Sequence, residues 1–365
     1  MTTYKTFTSD QVKKHLLEGL SFIDVRAPVE FDSGSIPGSV NLPILNNEER
    51  AVIGTCYKQH GQEKAIELGH QIVSGENKET KLKKWIDFFE HNPKSIVTCF
   101  RGGKRSQITQ QFLLELNIHI PRIENGYKPI RQLFIEELKN YSQTKKLILL
   151  TGLTGSAKTH LLKKVKSVYP VVDLEDLAKH RGSVFGAMSE SQPSQADFEN
   201  RLITEILKIE NTQDMRPILY EDESRLIGHR HLTEEFFTSL RSSKVILVKQ
   251  TLEDRIENIF KDYIVDVKLS EKLFSDYEYS LQKIEKRLGG AKTKEIMQDL
   301  ITSKFDFLNR QQTASNRIWI EKLLVYYYDI LYQSSFDKRN PEILFQGSHS
   351  EILDFLRSFP KSGSK

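Results

Sequence analysis

LILLTGLTGSAKTHLL, residues 147–162, combines an apolar strand, a glycine-bearing turn and the start of a helix in one short segment. A phosphate-binding loop requires backbone amides that face an anion, a lysine that reaches its oxygens and a hydroxyl that holds Mg²⁺. All three occur here in the required order, so the segment predicts an α/β domain that binds a phosphate or diphosphate. The predicted binding residues are Gly152, Thr154, Gly155, Ser156, Ala157, Lys158 and Thr159.

Ala157 stands before the lysine, where such loops usually carry glycine. If the backbone takes a positive φ at this position, the Cβ of alanine costs about 1–2 kcal/mol. If the backbone is helical there, alanine costs nothing. Because alanine replaces the usual glycine, the sequence does not decide whether the loop hydrolyses a nucleotide. Binding of a phosphate or diphosphate remains the prediction.

Short β-rich runs alternate with helical patterns along the chain, which predicts α/β architecture with largely parallel sheets. In the first part, a helix with Ile108, Phe112 and Leu116 at a spacing of four follows the second strand. The last hundred residues are predicted to be mainly helical. The strand candidates are residues 22–26, 95–100, 147–152, 170–174, 217–221 and 244–250.

Charged residues follow several strands of the second half. The acidic run 221–223 is a candidate for holding Mg²⁺ directly or through water, and solvated charges at a strand end are the alternative. The basic loop at 180–181 either faces a ligand crevice, as loops after strands of open α/β sheets do, or is an ordinary surface loop. Arg255 is interpreted as a solvated helical arginine, with a phosphate contact as the alternative. The candidate substrate-linked or Mg-linked residues are Asp173, His180, Arg181, Glu221, Asp222, Glu223 and Arg225.

Cys99 ends a predicted strand and opens the sequence CFRGGKRSQ before a helix. Glycines let backbone amides turn inward, the helix N-terminus is electropositive, and three cations lie within six residues. Such surroundings lower a thiol pKa from about 8.5 to roughly 3.5–7.5, which predicts a nucleophilic cysteine beside an anion. The predicted catalytic set is Cys99, Arg101, Gly102, Gly103, Lys104 and Arg105. Cys56 has no comparable surroundings and is interpreted as structural, with an auxiliary role as the alternative.

The 365 residues predict two domains, and the polar stretch 137–146 marks the boundary, giving domains 1–140 and 141–365. The net charge of +4 is compatible with nucleic acid without demonstrating it. Two cysteines are too few for a disulfide framework, so a reducing compartment is expected. No secretory leader or apolar run of membrane-spanning length is visible, so we expect a cytoplasmic protein with no membrane partner.

Residues 1 to about 140 resemble a rhodanese domain. The segment DVRAPVEFDSGSIPGSVNLP, residues 24–43, is similar to the aspartate–arginine strand and the glycine–isoleucine–proline–glycine turn of that family. The resemblance implies that Asp24 and Arg26 are structural and that Cys99 carries a persulfide or, by analogy, a perselenide. Five residues separate Cys99 from Arg105, a spacing also seen in rhodanese-like phosphatases, so phosphatase chemistry is a rival for this domain alone.

A rhodanese-like domain followed by a P-loop NTPase-like domain with a helical C-terminal region resembles the tRNA 2-selenouridine synthase family over essentially the whole chain. The stretches GTCYKQHGQEKAIELGHQIVSG, DLEDLAKHRGSVFG, YEDESRLIG and LLVYYYDILY are also similar to that family. The resemblance implies a transferase that acts on wobble 2-thiouridine in tRNA with selenophosphate, through a geranylated intermediate formed from geranyl diphosphate. It implies no tightly bound cofactor, with Mg²⁺ as a candidate ion and a selenophosphate-supplying enzyme as a candidate partner.

We assign the diphosphate of the prenyl donor to the P-loop, and selenium transfer to C2 of the base to Cys99. The rivals are a two-domain phosphotransferase and phosphatase with an ATP-binding P-loop, and a non-enzymatic regulator with a docking rhodanese domain. Trp85 is interpreted as a core residue, with base stacking as the alternative. Candidate tRNA contacts are Lys81, Lys83, Lys84 and Arg230.

Overall fold

The computed structural model describes residues 5–144, 146–180 and 191–361, which form two compact units. The first unit comprises residues up to 140 together with 193–213, and the second comprises 141–192 and the residues from 214 onward. The sequence analysis had left 193–213 in the second domain. Arg181 lies outside the described residues. Among the described residues, no helix is both long and apolar enough to cross a membrane.

The first unit is built on a five-stranded parallel sheet in the order β1-β5-β4-β2-β3. Its strands are β1 (Thr6–Phe7), β2 (Phe22–Asp24), β3 (Ser39–Asn41), β4 (Ile96–Thr98) and β5 (Arg122–Ile123). Its helices are α1 (Ser9–Leu17), α2 (Pro28–Asp32), α3 (Asn47–Ile72, interrupted at Gly61), α4 (Gly75–His91), α5 (Lys104–Leu114) and the first part of α6 (Tyr127–Gln143). Both predicted strands are present, but Leu116 lies beyond the end of α5 and is 49% exposed.

Trp85 is buried on α4, and its Nε1 donates to the carbonyl of Leu42 at 2.9 Å. It joins an apolar cluster with Ile23, Val97 and Cys99. The interpretation of Trp85 as a core residue is therefore confirmed, and the base-stacking alternative is wrong, because a side chain buried to this degree has no face to offer a base.

The second unit is built on a five-stranded parallel sheet in the order β12-β11-β6-β8-β7. It also contains a separate antiparallel hairpin, β9–β10, which follows β8 in the sequence. Its strands are β6 (Leu147–Thr151), β7 (Val171–Val172), β8 (Ile218–Glu221), β9 (Leu226–Ile227), β10 (Arg230–His231), β11 (Lys244–Val248) and β12 (Ile343–Gly347). Its helices before residue 262 are α7 (Lys158–Val165), α8 (Leu174–Ala178), α10 (Glu234–Arg241) and α11 (Leu252–Phe260). All four predicted strands are confirmed, each with shorter bounds than predicted.

A helical region follows β11, as expected for the end of the chain. It contains α12 (Glu271–Leu288), α13 (Gly290–Arg310), α14 (Asn316–Leu323), α15 (Asp329–Arg339) and α16 (His349–Ser358), with wider π-helical turns at Lys261–Val265 and Leu324–Tyr328. Its apolar cluster includes Phe274, Leu281, Trp319 and Ile320. The sequence analysis missed β12, which returns to the sheet and pairs with β11.

Helix α9 (Gln195–Asn211) belongs to the first unit although it lies far along the chain. Asn200 donates to the carbonyl of Ser35 at 2.7 Å, and Asp197 accepts from the amide of Ser35 at 2.8 Å. A Cβ on Gly34 would lie 2.7 Å from the Cβ of Ala196, so glycine is needed for this close approach. These contacts anchor the start of α9 to the turn that follows α2.

Asp24 and Arg26 form a buried ion pair at the end of β2. The Nη2 atom of Arg26 donates to Asp24 Oδ2 at 2.7 Å and to the carbonyl of Gly34 at 2.7 Å. Both side chains are at most 1% exposed, and the guanidinium lies over the ring of Tyr127. The arginine thus neutralises a carboxylate that water does not reach and holds the Gly34 turn.

We predict that Arg26→Met lowers the free energy of unfolding of the first unit by about 3–5 kcal/mol, because it leaves the buried Asp24 carboxylate without a partner. The chain has two tryptophans, one in each unit, so Trp85 fluorescence in a Trp319→Phe background reports urea unfolding of the first unit. The matched control is Arg50→Met, whose side chain is 47% exposed in its ion pair with Glu30 and which should cost less than about 1 kcal/mol. Equal losses in the two variants would contradict the prediction.

Candidate active site

Cys99 is the first residue after β4, a strand paired on both sides within the first sheet. Its side chain is 2% exposed, and its Sγ–H donates to Ser106 Oγ at 3.2 Å. The chain then turns through residues 100–103 and enters α5 at Lys104. The thiol therefore lies where a parallel strand ends and a helix begins, the position at which backbone N–H groups favour an anion.

Two glycines make the tight turn around Cys99 possible. Gly102 has φ +60°, and a Cβ there would lie 1.9 Å from the carbonyl oxygen of Glu124. Gly126 has φ +68°, and its Cβ would lie 2.3 Å from the carbonyl oxygen of Cys99. Gly102 was predicted, whereas Gly126 was missed; its signal was the Asn125-Gly126 pair after a strand, which is typical of a turn.

The three cationic side chains of the Cys99 loop differ in exposure and in whether they have an acidic partner. Arg105 donates to Glu30 through both terminal nitrogens, one of them at 3.0 Å, and Glu30 also contacts Arg50 at 3.0 Å. Burial alone would lower the pKa of Arg105, but the hydrogen bonds and charge of Glu30 raise it. Arg101 and Lys104 are exposed. An incoming anion therefore meets these two cations, while Arg105 is held by an acidic partner that the sequence analysis missed.

The phosphate-binding loop connects β6 to α7 in the second unit. Gly155 has φ +83°, and a Cβ there would lie 2.8 Å from the carbonyl oxygen of Arg255, so glycine is required. The Nζ of Lys158 donates to the carbonyl of Gly152 at 3.0 Å across the loop. The side chain of Lys158 is thus folded over the turn whose amides would surround a phosphate.

Ala157 has φ +50° and ψ +40°, a left-handed conformation at the residue before α7. Of the two conformations considered from the sequence, positive φ is therefore the one observed, and the Cβ of Ala157 costs about 1–2 kcal/mol there. The strain is local and lies next to Lys158, which is where strained backbone commonly marks a functional site.

Arg255 is buried, and its interpretation as a solvated helical arginine is wrong. Its Nε donates to the carbonyl of Thr154 at 2.8 Å, and its Nη1 donates to Asp329 at 3.1 Å. The arginine therefore links the phosphate-binding loop to the start of α15. The acidic partner lies 74 positions away in the sequence, so no local pattern indicated the bond.

Several glutamate side chains lie close to the end of the phosphate-binding loop. Thr159 donates to Glu221 at 3.0 Å and more weakly to Glu175 at 3.4 Å. Burial, reinforced by the charge of Glu175 and opposed by Lys158, raises the pKa of Glu221 to about 7. Burial and the charge of Glu221 likewise raise the pKa of Glu223 well above its usual range. Both carboxyls thus favour the protonated form more than exposed glutamates do.

Asp222 has a structural environment despite lying between these glutamates. Arg339 donates to it through two nitrogens at 3.0 and 2.8 Å, and Thr151 donates to it at 2.7 Å. Asp222 therefore ties the end of β6 to α15, and its carboxylate oxygens are already engaged.

A cavity of about 680 Å³ opens over the phosphate-binding loop. Gly155, Lys158 and Thr159 lie on one side of it together with Glu175 and Glu221. Both π-helical turns contribute to the cavity, through residues 262–263 and through 324 and 328. An apolar and aromatic part of the lining comes from α14, α15 and the turn that joins them: Trp319, Ile320, Leu323, Leu324, Tyr328, Leu331, Tyr332 and Phe336. Charged residues, among them Arg225, Arg241, Asp262 and Arg339, also line the cavity.

Comparison with known proteins matches both units to families. Residues 145–362 match the model described as tRNA 2-selenouridine synthase AAA domain, and residues 8–133 match the rhodanese-like domain. Curated tRNA 2-selenouridine synthases from Nitrosomonas europaea and Bdellovibrio bacteriovorus are 46% and 41% identical to the chain. The two alignments cover 92% and 97% of this chain, and 94% and 99% of those proteins.

The chain belongs to the tRNA 2-selenouridine synthase family. The resemblance stated from the sequence is thereby confirmed, together with the fold class of a rhodanese-like domain followed by a P-loop-type domain.

Four further residues were predicted to be linked to substrate or Mg²⁺, and only two of them line the cavity. Asp173 accepts from the amide of Asp176 at 2.9 Å and begins α8, and His180 lies against the Gly228 turn. Neither is among the residues that line the cavity, whereas Glu223 and Arg225 are.

The residues predicted to contact tRNA differ in their exposure to solvent and in whether they already form an ion pair. Lys81 is 13% exposed and pairs with Glu49, so it is already engaged. Lys83 and Lys84 are exposed on α4, and Arg230 is half-buried in the β9–β10 hairpin. Among the described residues, no group of three or more His, Cys, Asp or Glu side chains is arranged to hold a metal by itself.

We predict that Glu221→Gln stabilises the ligand-free protein at high pH. The pKa of Glu221 rises from an ordinary 4.5 to about 7 in the folded protein, so folding keeps a proton that the unfolded chain releases above pH 4.5. The stabilising contribution is present below pH 4.5 and is lost as the pH rises through about 7, a change on the order of 3 kcal/mol.

Thermal unfolding in EDTA at pH 5 and pH 8.5 tests this prediction. Glu221→Gln, which still accepts from Thr159, should raise the melting temperature at pH 8.5 and leave it nearly unchanged at pH 5. The matched control is Glu321→Gln at an exposed position of α14, which should show no such dependence. A Glu221→Gln protein that melts below wild type at pH 8.5 would contradict the account.

Proposed function

We propose that the protein is a transferase that converts wobble 2-thiouridine in tRNA to 2-selenouridine. In the first step, the thiocarbonyl sulfur of the base attacks C1 of geranyl diphosphate, so that a C–S bond forms, a C–O bond breaks and diphosphate leaves. In the second step, the P–Se bond of selenophosphate breaks and selenium, at the selenide level, becomes bonded to C2 of the base while the C2–S bond breaks. Geranylthiol leaves from the base, and the phosphoryl group is released as phosphate after reaction with water. Membership of the family supports the overall conversion, and the two sites support its division into steps.

The observation that carries the first step is that the cavity of the second unit combines a phosphate-binding loop with an apolar lining. The phosphate-binding loop and apolar side chains of α14 and α15 line the same cavity. A prenyl diphosphate has the same combination, since its charge lies at one end and its hydrocarbon at the other. Burial of hydrocarbon contributes about 25 cal/mol per Å² of apolar surface, so the apolar lining favours such a ligand over a bare diphosphate.

Mg²⁺ is proposed as the partner of the diphosphate. It commonly binds through one or two carboxylates together with substrate phosphates and water. The Thr159 hydroxyl and the carboxylates of Glu221 and Glu175 lie together beside Lys158 and fit that pattern. The ion would neutralise the leaving diphosphate, while Lys158 would move from the Gly152 carbonyl to a phosphate oxygen.

The thiolate of Cys99 is proposed to attack the phosphorus of selenophosphate, so that an S–P bond forms and the P–Se bond breaks. Selenium leaves at the selenide level and attacks C2 of the base, and water then hydrolyses the S–P bond and releases phosphate. The loop around Cys99 offers an electropositive helix N-terminus and the exposed cations Arg101 and Lys104 to the selenophosphate anion. Geranylation makes this exchange feasible, because an alkylated sulfur leaves C2 as a neutral thiol after protonation. The exposed Lys83 and Lys84 are proposed to contact tRNA phosphates.

The test is a reconstituted reaction with 2-thiouridine tRNA, geranyl diphosphate, selenophosphate, Mg²⁺ and a thiol, followed by mass spectrometry of the nucleosides. We expect 2-selenouridine from wild type, geranylated thiouridine that accumulates in Cys99→Ser, and neither product in Lys158→Ala. The Cys99 variant keeps the diphosphate site, whereas the Lys158 variant loses a cation at the phosphates, at a cost of at least tenfold in rate.

Matched controls are Cys56→Ser, which removes the other cysteine, and Lys164→Ala, an exposed lysine of α7 that does not line the cavity. Both should behave as wild type. No modified uridine from folded wild type, combined with turnover of ATP, would replace the proposal with the phosphotransferase alternative.

A further inference from the structure

A second cavity lies in the first unit, next to the Cys99 loop. It measures about 240 Å³ and is bounded by α3, α5 and the residues before α3. We name it the α3–α5 pocket. Its lining is Ile44, Leu45, Ile53, Tyr57, Gln62, Ala65, Ile66, Gly69, His70, Val73, Lys104, Arg105, Ile108 and Phe112.

The pocket adjoins the thiol in two ways. Lys104 and Arg105, which begin α5 and belong to the Cys99 loop, form part of its wall. Cys99 itself belongs to the buried apolar cluster that contains the pocket residues Leu45 and Phe112. One side of the Cys99 loop therefore offers cations to an anion, and the other adjoins an apolar space.

An apolar lining that faces water costs stability, because its surface is not removed from solvent. Tyr57 is 56% exposed, so the pocket reaches the surface at α3. Much of the lining comes from the stretch GTCYKQHGQEKAIELGHQIVSG, residues 54–75, to which neither proposed step has given a role. These features indicate a binding site for a hydrocarbon group that enters from solvent.

We propose that the α3–α5 pocket binds the geranyl chain of the S-geranylated base while selenium replaces sulfur at C2. This inference rests on the proposed function, which puts a ten-carbon chain on the sulfur that must leave at Cys99. The size agrees: an apolar cavity of about 150 Å³ accepts a six-carbon ring, so a ten-carbon chain needs about 250 Å³ by the same ratio.

Binding the chain here would orient the C2–S bond toward the Cys99 loop and leave the sulfur beside Lys104, which lines the pocket at the start of α5. The pocket adds no bond-forming step: geranylthiol leaves with the electron pair of the C2–S bond and one proton, as in the proposed exchange. It gives the second step a preference for a geranylated substrate over one with a short alkyl group.

The experiment isolates the second step by using tRNA that already carries S-geranyl-2-thiouridine or S-methyl-2-thiouridine, with selenophosphate and a thiol. We expect wild type to convert the geranylated substrate at least tenfold more efficiently, judged by kcat/KM. Ala65→Leu, which fills the pocket from α3, should reduce that preference at least tenfold while conversion of the methylated substrate stays within twofold of wild type.

The matched control is Ala51→Leu, an exposed position on the same helix that does not line the pocket, and it should keep the preference. Ile108→Ala enlarges the pocket from α5, should also weaken the preference, and replaces Ala65→Leu if that protein does not fold. Equal loss with both substrates would indicate damage to the fold and contradict the proposal.

The outcomes separate the two proposals. Wild type that converts both substrates with equal efficiency, and pocket variants that leave this unchanged, would overturn the pocket while leaving the selenium exchange in place. Wild type that converts neither substrate would overturn the proposed function and the pocket with it.

Discussion

Both candidate sites depend on one backbone constraint, which is that a parallel strand ends and a helix begins within a few residues. The chain can make that reversal only by taking a left-handed conformation, at Gly102 in one unit and at Gly155 and Ala157 in the other. The same reversal turns peptide N–H groups toward a common centre at a helix N-terminus. The packing around each loop leaves no alternative, since a Cβ at Gly102 or Gly155 would meet a carbonyl oxygen within 3 Å.

This constraint explains which parts of the protein could be predicted from the sequence. The two loops are contiguous, so their glycines, cations, lysine and hydroxyl appear in the sequence in the order in which they act. The strands before them are short apolar runs, and these were identified with errors of a few residues. Trp85 was assigned to the core because its helix is amphipathic.

The partners contributed by distant segments could not be predicted in the same way. Glu30 reaches Arg105, and Asp329 reaches Arg255, only because helices dock onto the sheets. Arg255 looked solvated because a helical pattern does not reveal a buried acidic partner. The affiliation of residues 193–213 with the first unit and the pairing of β12 with β11 likewise depend on tertiary packing. The apolar wall of the cavity lies in a region whose helices were predicted but whose contact with the phosphate-binding loop was not.

The chemical account follows from anion sites that adjoin apolar space. In the second unit, the phosphate-binding loop and apolar side chains line one cavity, which suits the proposed prenyl diphosphate. In the first unit, the thiol loop adjoins a smaller apolar pocket, which suits the same chain once it is attached to sulfur. Two hydrocarbon sites are what a two-step reaction needs when the chain is first added to the base and then removed with the sulfur.

The central claim is that the cavity of the second unit binds a prenyl diphosphate, and calorimetric titration of the ligands tests it most directly. We expect geranyl diphosphate to bind at least tenfold more tightly than inorganic diphosphate, a difference of about 1.4 kcal/mol. Leu331→Gln, at a 42% exposed position of the apolar wall, should remove much of that advantage without changing diphosphate affinity; Ile330→Gln, 55% exposed and absent from the lining, should not. Equal affinity for the two ligands, or tighter binding of ATP than of geranyl diphosphate, would contradict the account.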